Sequence, residues 1–162
     1  MTSASTDALA ERLFGAALGA YELLTVYLGH RLGLYRALGE HASATSAELA
    51  DLTGTNERYA REWLEQQAVA GILEVEDAQA PAAERRFRLP EGHGDVLVDD
   101  SNLSYLVPMS YFTVSLSGVL PALEEAFRTG RGSPGERTAK LGSRPRRRRT
   151  SRSSSICSAT SG

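Results

Sequence analysis

The sequence contains one cysteine, one lysine and three histidines that lie far apart. The single Cys157 cannot form an internal disulfide, which is typical of a protein from a reducing compartment. His30, His41 and His93 lack the spacing of metal ligands, so no metal site is predicted. No apolar run is long enough to span a membrane, and the N-terminus lacks the basic and apolar segments of a signal peptide. These absences predict a cytoplasmic protein that has no membrane contact.

Positive charge is scarce in most of the chain and concentrated at its end. Residues 1–130 have a formal net charge of −10, whereas residues 131–162 have one of +8. The second part is rich in Arg, Ser, Pro and Gly and has neither a helical nor a strand period, so we expect it to be a disordered basic tail. The string GRGSPG at 130–135 follows a helical pattern rather than a strand, which argues against a dinucleotide-binding loop.

Apolar residues recur at helical spacing from about residue 7 to residue 40. Asp7 is the expected N-cap, and Gly29 and Gly33 are expected to interrupt the pattern before a short helix, LYRAL. This segment is more apolar than a lone surface helix needs to be, which is typical of a helix that packs against a second copy of the chain. We therefore predict a homodimer, prone to further association. The residues expected in its interface are Leu13, Leu24, Tyr27 and Leu28.

Residues 45–89 have the pattern of a helix-turn-helix followed by a hairpin. Thr45, or else Ser46, is the expected N-cap of the first helix, with Glu48 at capping-box spacing. Gly54 is expected to end that helix and Asn56 to cap the second. The strings ILEVE at 72–76 and RRFRL at 85–89 are typical of paired strands. The second helix is expected to end at Gly71 and to bury one apolar face, made of Tyr59, Trp63, Leu64 and Val69.

Residues after Pro90 return to helical patterns. A short segment, GHGDVLVDD, is followed by two or three predicted helices that are broken at Pro108 and near Gly118 and Pro121. The predicted fold class is mainly α: a winged helix-turn-helix with one β-hairpin, at about 72–76 and 85–89, flanked by dimerisation helices. Residues 1–130 form the predicted domain and residues 131–162 the tail.

A helix-turn-helix also raises the alternative of a DNA-binding transcriptional regulator. Its second helix would present three glutamates and only two arginines to the major groove, and the whole domain is acidic, so DNA binding is disfavoured. The preferred interpretation is a winged helix that serves packing and dimerisation. The DNA contacts under the alternative are Arg58, Arg61, Arg85, Arg86 and Arg88.

The strings YLGHRLGLYRAL and YAREWLEQQAVAGILEVE carry a resemblance to a known family. Over about residues 9–132, the chain resembles the N-terminal part of bacterial two-domain, class I S-adenosylmethionine-dependent methyltransferases. The resemblance implies a winged-helix part that dimerises and helps to cover a small-molecule substrate, and a following Rossmann-like domain that binds the cofactor. O-methylation of a hydroxylated or phenolic metabolite is the activity it implies. The candidate substrate-lid residues are Tyr105, Met109 and Tyr111; packing of a helical bundle explains the two tyrosines equally well.

The resemblance stops where the family's cofactor domain would begin. No glycine-rich cofactor loop follows, and residues 133–162 are too few for a Rossmann-like sheet, which needs on the order of 100 residues. We therefore carry over no catalytic or cofactor-binding residue, and we expect this chain to bind no S-adenosylmethionine and to be inactive alone. When SSSICSATSG is reverse-translated and read in a shifted frame, an amphipathic, helix-forming string results. A frameshift near residues 131–137 is our hypothesis for the tail.

Overall fold

The computed structural model describes residues 3–131. Within this range the chain forms six helices and one antiparallel pair of short strands. The predictions for the basic tail and for Cys157 concern residues outside the described range. The elements, in chain order, are α1 (Ala4–Arg31), α2 (Leu34–Glu40), α3 (Ser46–Thr53), α4 (Glu57–Val69), β1 (Glu74–Val75), β2 (Phe87–Arg88), α5 (His93–Leu97) and α6 (Val107–Thr129). The predicted fold class, a mainly α winged helix-turn-helix with one hairpin, is confirmed.

The helix-turn-helix consists of α3 and α4, and its local signals act as predicted. The Thr45 side chain accepts a hydrogen bond from the Glu48 amide at 3.3 Å, and the Glu48 carboxylate accepts one from the Thr45 amide at 2.8 Å. This capping box satisfies two amides that the helix itself leaves unpaired. Gly54 takes the left-handed conformation that ends α3, and the Asn56 side chain caps α4 by accepting from the Arg58 amide.

The hairpin that forms the wing is shorter than the sequence predicts, and it also pairs with a residue outside the hairpin. Only Glu74 and Val75 pair with Arg88 and Phe87, inside the predicted strands 72–76 and 85–89. Phe87 also exchanges two 2.9 Å backbone hydrogen bonds with Ala44, a bridge that the sequence analysis missed. Since Phe87 is fully buried, this bridge ties the chain just before α3 to the wing and to the core.

Two predictions about helix boundaries and one about a buried helix face were wrong. The N-cap of α1 is Ser3, and Asp7 lies in the first turn of the helix, where its carboxylate still favours the positive end of the helix dipole. Gly29 lies inside α1 and does not interrupt it; the break comes at Gly33, which has a positive φ of 76°. On α4, Tyr59 and Val69 are exposed, so the buried face is narrower than predicted.

The predicted breaks in the last helical segment are also wrong, since α6 runs without interruption from Val107 to Thr129. Pro108 lies in the first turn, where no intrahelical amide donor is needed. Pro121 lies inside the helix and removes the donor for the carbonyl of Ser117. Ser117 is exposed, so water can reach that carbonyl, and Gly118 simply remains helical.

The core is built around α2, with side chains from α3, α4 and the wing, and Gly29 determines how closely α1 approaches it. A Cβ atom at Gly29 would lie 2.4 Å from Cζ2 of Trp63 and 2.6 Å from Cε2 of Tyr35. The Trp63 indole donates to the Thr25 carbonyl of α1 at 3.0 Å, and the buried Gln67 amide donates to the Thr25 hydroxyl at 3.0 Å. Trp63 is therefore a core residue, as the sequence predicts.

Candidate functional site

The arginines that would contact DNA under the alternative hypothesis are all engaged with glutamates. On α4, Arg58 Nε lies 3.1 Å from Glu62 Oε1, and Arg61 lies 3.5 Å from Glu57 Oε1. Both pairs join residues four apart on one helix, where side chains are neighbours. Under this hypothesis α4 would be the recognition helix. Because both of its arginines are paired with glutamates, they give its surface no local excess of positive charge.

The three arginines of the wing are paired in the same way. Arg85 lies 2.7 Å from Glu65 of α4, and Arg88 pairs with Glu74 across the two strands. Arg86 lies 2.9 Å from Glu48. A backbone hydrogen bond from Thr45 and the guanidinium of Arg86 lower the pKa of the Glu48 carboxyl, so this pair stays charged at neutral pH.

These five ion pairs are exposed or only partly buried, so solvent screens them and each adds little to the stability of the fold. Their main consequence is electrostatic. Attraction to DNA depends on a concentration of unneutralised positive charge, and a one-to-one pairing with glutamates removes it.

A cluster around His30 joins α1 to α6. The Tyr111 hydroxyl lies 2.8 Å from His30 Nδ1, and the Tyr105 hydroxyl lies 3.0 Å from His30 Nε2. The Tyr27 ring packs edge-on against Tyr111 with their centroids 4.8 Å apart. A neutral imidazole has one donor and one acceptor nitrogen, so the two hydroxyls have opposite roles toward it.

The cluster contains residues for which the sequence predicts two different roles. Tyr27 was expected in a dimer interface, whereas Tyr105 and Tyr111 were expected in a substrate lid. The third lid candidate, Met109, is half exposed and is not part of the cluster. The sequence does not predict this role for His30, because the residue spacing along α1 carries no information on partners that are 75 and 81 residues away.

Most of the large apolar side chains that are exposed within residues 3–131 lie on α1 and α6. Although α1 has 28 residues, only Val26 and Gly29 of it are buried. At about 100° per residue, its exposed apolar residues lie within roughly one half of the helix circumference, and those of α6 form a narrower stripe. We refer to this set as the α1/α6 apolar face. On α1 it contains Leu9, Leu13, Phe14, Leu18, Tyr21, Leu24 and Leu28; on α6 it contains Met109, Phe112, Leu116, Leu120, Leu123 and Phe127.

Three of the four predicted interface residues, Leu13, Leu24 and Leu28, lie on this face, and Tyr27 is half buried beside it. So many large apolar side chains exposed on two helices are uncommon in monomers and are typical of interaction sites. None of the helices within residues 3–131 is long and apolar enough to cross a membrane. The same residues contain no cluster of three or more side chains suited to a metal ion.

Comparison with protein families identifies the helix-turn-helix and its wing. Residues 19–98 match the model of the Rv2258c-like winged HTH domain. This range begins inside α1 and ends directly after α5, so it contains the capping box, both helices of the motif and the hairpin. The chain matches no curated protein.

Several solved structures of methyltransferases have the same fold over most of this chain. Human N-acetylserotonin methyltransferase, in complex with SAM, matches 81% of this chain and 37% of its own length, with a TM-score of 0.61 and 19% sequence identity. The N,N-8-amino-8-demethyl-D-riboflavin dimethyltransferase RosA from Streptomyces davawensis matches 76% of this chain and 35% of its own, with a TM-score of 0.57 and 25% identity. The mitomycin 7-O-methyltransferase MmcR matches 81% and 37%, with a TM-score of 0.55 and 22% identity. The chain thus spans little more than a third of the length of these enzymes.

Proposed function

Because residues 19–98 match the model of the Rv2258c-like winged HTH domain, we propose that the chain is the dimerisation and substrate-covering module of a small-molecule methyltransferase. The fold shared with the N-acetylserotonin, aminoriboflavin and mitomycin enzymes supports the methyltransferase context. In that context the winged helix packs against other protein surfaces and does not read DNA.

The α1/α6 apolar face is the observation that carries the proposal. The helix α1 is about 42 Å long at 1.5 Å per residue, yet its first 22 residues include none that is buried. An amphipathic helix gains most of its stability from packing, so such a length of apolar helix needs a partner surface. A second copy of the chain presents the same face, and a two-fold axis would bring the two faces together.

The His30 cluster supports the same proposal by fixing the two helices to each other. Tyr105 lies just before α6 and Tyr111 lies near its start, and both bond to one imidazole on α1. The α1/α6 apolar face is thereby held as one surface. Met109, the lid candidate that is not part of the cluster, lies on this same face.

We also infer that S-adenosylmethionine is bound by a different domain. The only sheet within residues 3–131 is the antiparallel pair β1 and β2. A Rossmann-like cofactor site lies at the carboxyl ends of parallel strands. The described residues would therefore contribute to dimerisation and to covering the acceptor substrate, while the methyl donor is held elsewhere.

Light scattering after size-exclusion chromatography tests the assembly. We expect a mass of twice 17.4 kDa at micromolar concentration. Apolar burial contributes roughly 25 cal/mol per Å² and is not screened by salt, so the mass should be the same at about 0.1 M and 1 M sodium chloride. A monomer in both salts would contradict the proposal, and a dimer that dissociates in high salt would show that charge, not apolar burial, holds it together.

The second candidate function is DNA-dependent regulation, which the helix-turn-helix itself favours. Residues 1–130 and the full chain can be compared on the same DNA library. We expect residues 1–130 to show no sequence preference at about 150 mM salt, because the five arginines of the motif and wing are paired with glutamates. Binding that requires residues 131–162 and disappears with salt is polycation behaviour. Sequence-specific binding by residues 1–130 at that salt concentration would instead support the regulator.

A further inference from the structure

Arg31 and Arg36 lie on either side of the turn between α1 and α2 and differ from most of the other arginines among residues 3–131. Among residues 3–131, the arginines of α4, of the wing and near the end of α6 all form ion pairs with glutamates. Arg31 and Arg36 form no ion pair within that range. The contact of Arg31 is with an aromatic ring, since its Cζ lies 5.9 Å from the centroid of Tyr27.

Both arginines line one cavity of about 230 Å³, which we call the α1–α2 pocket. It lies at the turn between α1 and α2, and α5 forms its opposite wall. Among residues 3–131, no carboxylate lines this pocket. The residues that line it are His30, Arg31, Leu32, Gly33, Tyr35, Arg36, Leu97 and Val98.

The pocket combines an apolar interior with a positive rim. Tyr35 and Leu97 are buried, whereas both arginine side chains are exposed. The Tyr35 hydroxyl donates to Gln67, and burial raises the pKa of Tyr35, so the phenol adds no negative charge to the pocket. A ligand that fits this arrangement has an apolar body and one anionic group.

We propose that the α1–α2 pocket binds a small organic carboxylate, with the carboxylate held by Arg31 and Arg36 and the apolar body against Tyr35 and Leu97. Arginine matches a carboxylate with two parallel N–H donors, which makes it the preferred partner for this group. Ligand pockets commonly measure about 300–1,000 Å³, so a cavity of about 230 Å³ suits a ligand smaller than a drug.

An adjoining pocket determines where the charged end of the ligand lies. Arg36 and Val98 also line a cavity of about 350 Å³ that includes Glu40 and Asp99. Hydrogen bonds from Ser101 lower the pKa of the Asp99 carboxyl, so it stays ionised at neutral pH. Those two carboxylates repel an anion, and the carboxylate of the ligand therefore belongs on the side of Arg31.

The test uses the full chain, labelled with ¹⁵N, and benzoate as the probe. We expect benzoate to cause saturable shifts of the amide signals of Gly33, Leu97 and Val98. Benzyl alcohol has nearly the same shape without the charge, and we expect it to bind at least tenfold more weakly. If benzoate causes no saturable shifts at these amides, or if benzyl alcohol binds equally well, the proposal is overturned.

Substitution of the two arginines tests whether they bind the carboxylate of the ligand. The double substitution Arg31→Gln with Arg36→Gln should weaken benzoate binding at least tenfold and leave the circular dichroism spectrum unchanged, because both side chains are exposed. The matched control is Arg12→Gln, on the exposed first half of α1, which should bind benzoate as the wild type does. Wild-type affinity in the folded double variant would place the site elsewhere and overturn the proposal. None of these outcomes bears on dimerisation or on the methyltransferase context.

Discussion

Leu24→Asp is expected to convert the dimer into a monomer. Leu24 is 38% exposed in the single chain and lies in the α1/α6 apolar face, which we propose to be covered by a second copy. A two-fold axis would place two copies of the new carboxylate in one apolar interface, and each unpaired charge costs several kcal/mol to bury. The dissociation constant should rise about 100-fold or more, since each 1.4 kcal/mol changes it tenfold.

Val69→Asp is the matched control for this prediction. Val69 is an apolar residue that is 90% exposed, and it lies at the end of α4, away from the α1/α6 apolar face. Light scattering should therefore give a dimer for Val69→Asp and a monomer for Leu24→Asp at the same micromolar concentration. Equal masses for the two variants, with both folded by circular dichroism, would show that Leu24 is not in an interface.

Gly29→Ala is expected to destabilise the domain itself. The added Cβ would lie 2.4 Å from the Trp63 ring and 2.6 Å from the Tyr35 ring, and neither ring can move freely because both are buried and hydrogen-bonded. Relief of the clash requires α1 and α4 to separate. Overpacking of this kind costs about 1–3 kcal/mol, which should appear as a lower free energy of unfolding in urea.

The control for Gly29→Ala is a second helical glycine that has room for a side chain. A Cβ at Gly39 would make only ordinary contacts, 3.9 Å from Leu89 and 4.0 Å from Val98. Alanine is favoured over glycine in helices, so Gly39→Ala should leave the free energy of unfolding unchanged or raise it by up to about 1 kcal/mol. If the two variants unfold at the same urea concentration, Gly29 does not set the distance between α1 and α4.

The sequence correctly predicts the structural features that depend on neighbouring residues. The capping box of Thr45 and Glu48, the end of α3 at Gly54 and the cap of α4 at Asn56 are all specified within a few residues. The hairpin was placed correctly because its two strands have alternating patterns on either side of one loop.

The wrong or missing predictions concern features that depend on contacts between distant residues or on solvent. Pro121 reads as a helix break, but α6 continues through it because water can reach the carbonyl that it leaves without a donor. The bridge between Ala44 and Phe87 joins segments 43 residues apart, and no local pattern predicts it. The His30 cluster was missed for the same reason, since its partners lie on a segment near the other end of the domain.

Photo-crosslinking tests most directly the central claim, that the α1/α6 apolar face receives a second copy of the chain. Phe14 on α1 and Tyr59 on α4 are equally exposed in the single chain, at 67% and 68%, and both can be replaced by benzoylphenylalanine. We expect irradiation to yield covalent dimers from the variant at Phe14 and almost none from the variant at Tyr59. Equal yields from both positions, or dimers from Tyr59 alone, would contradict the claim.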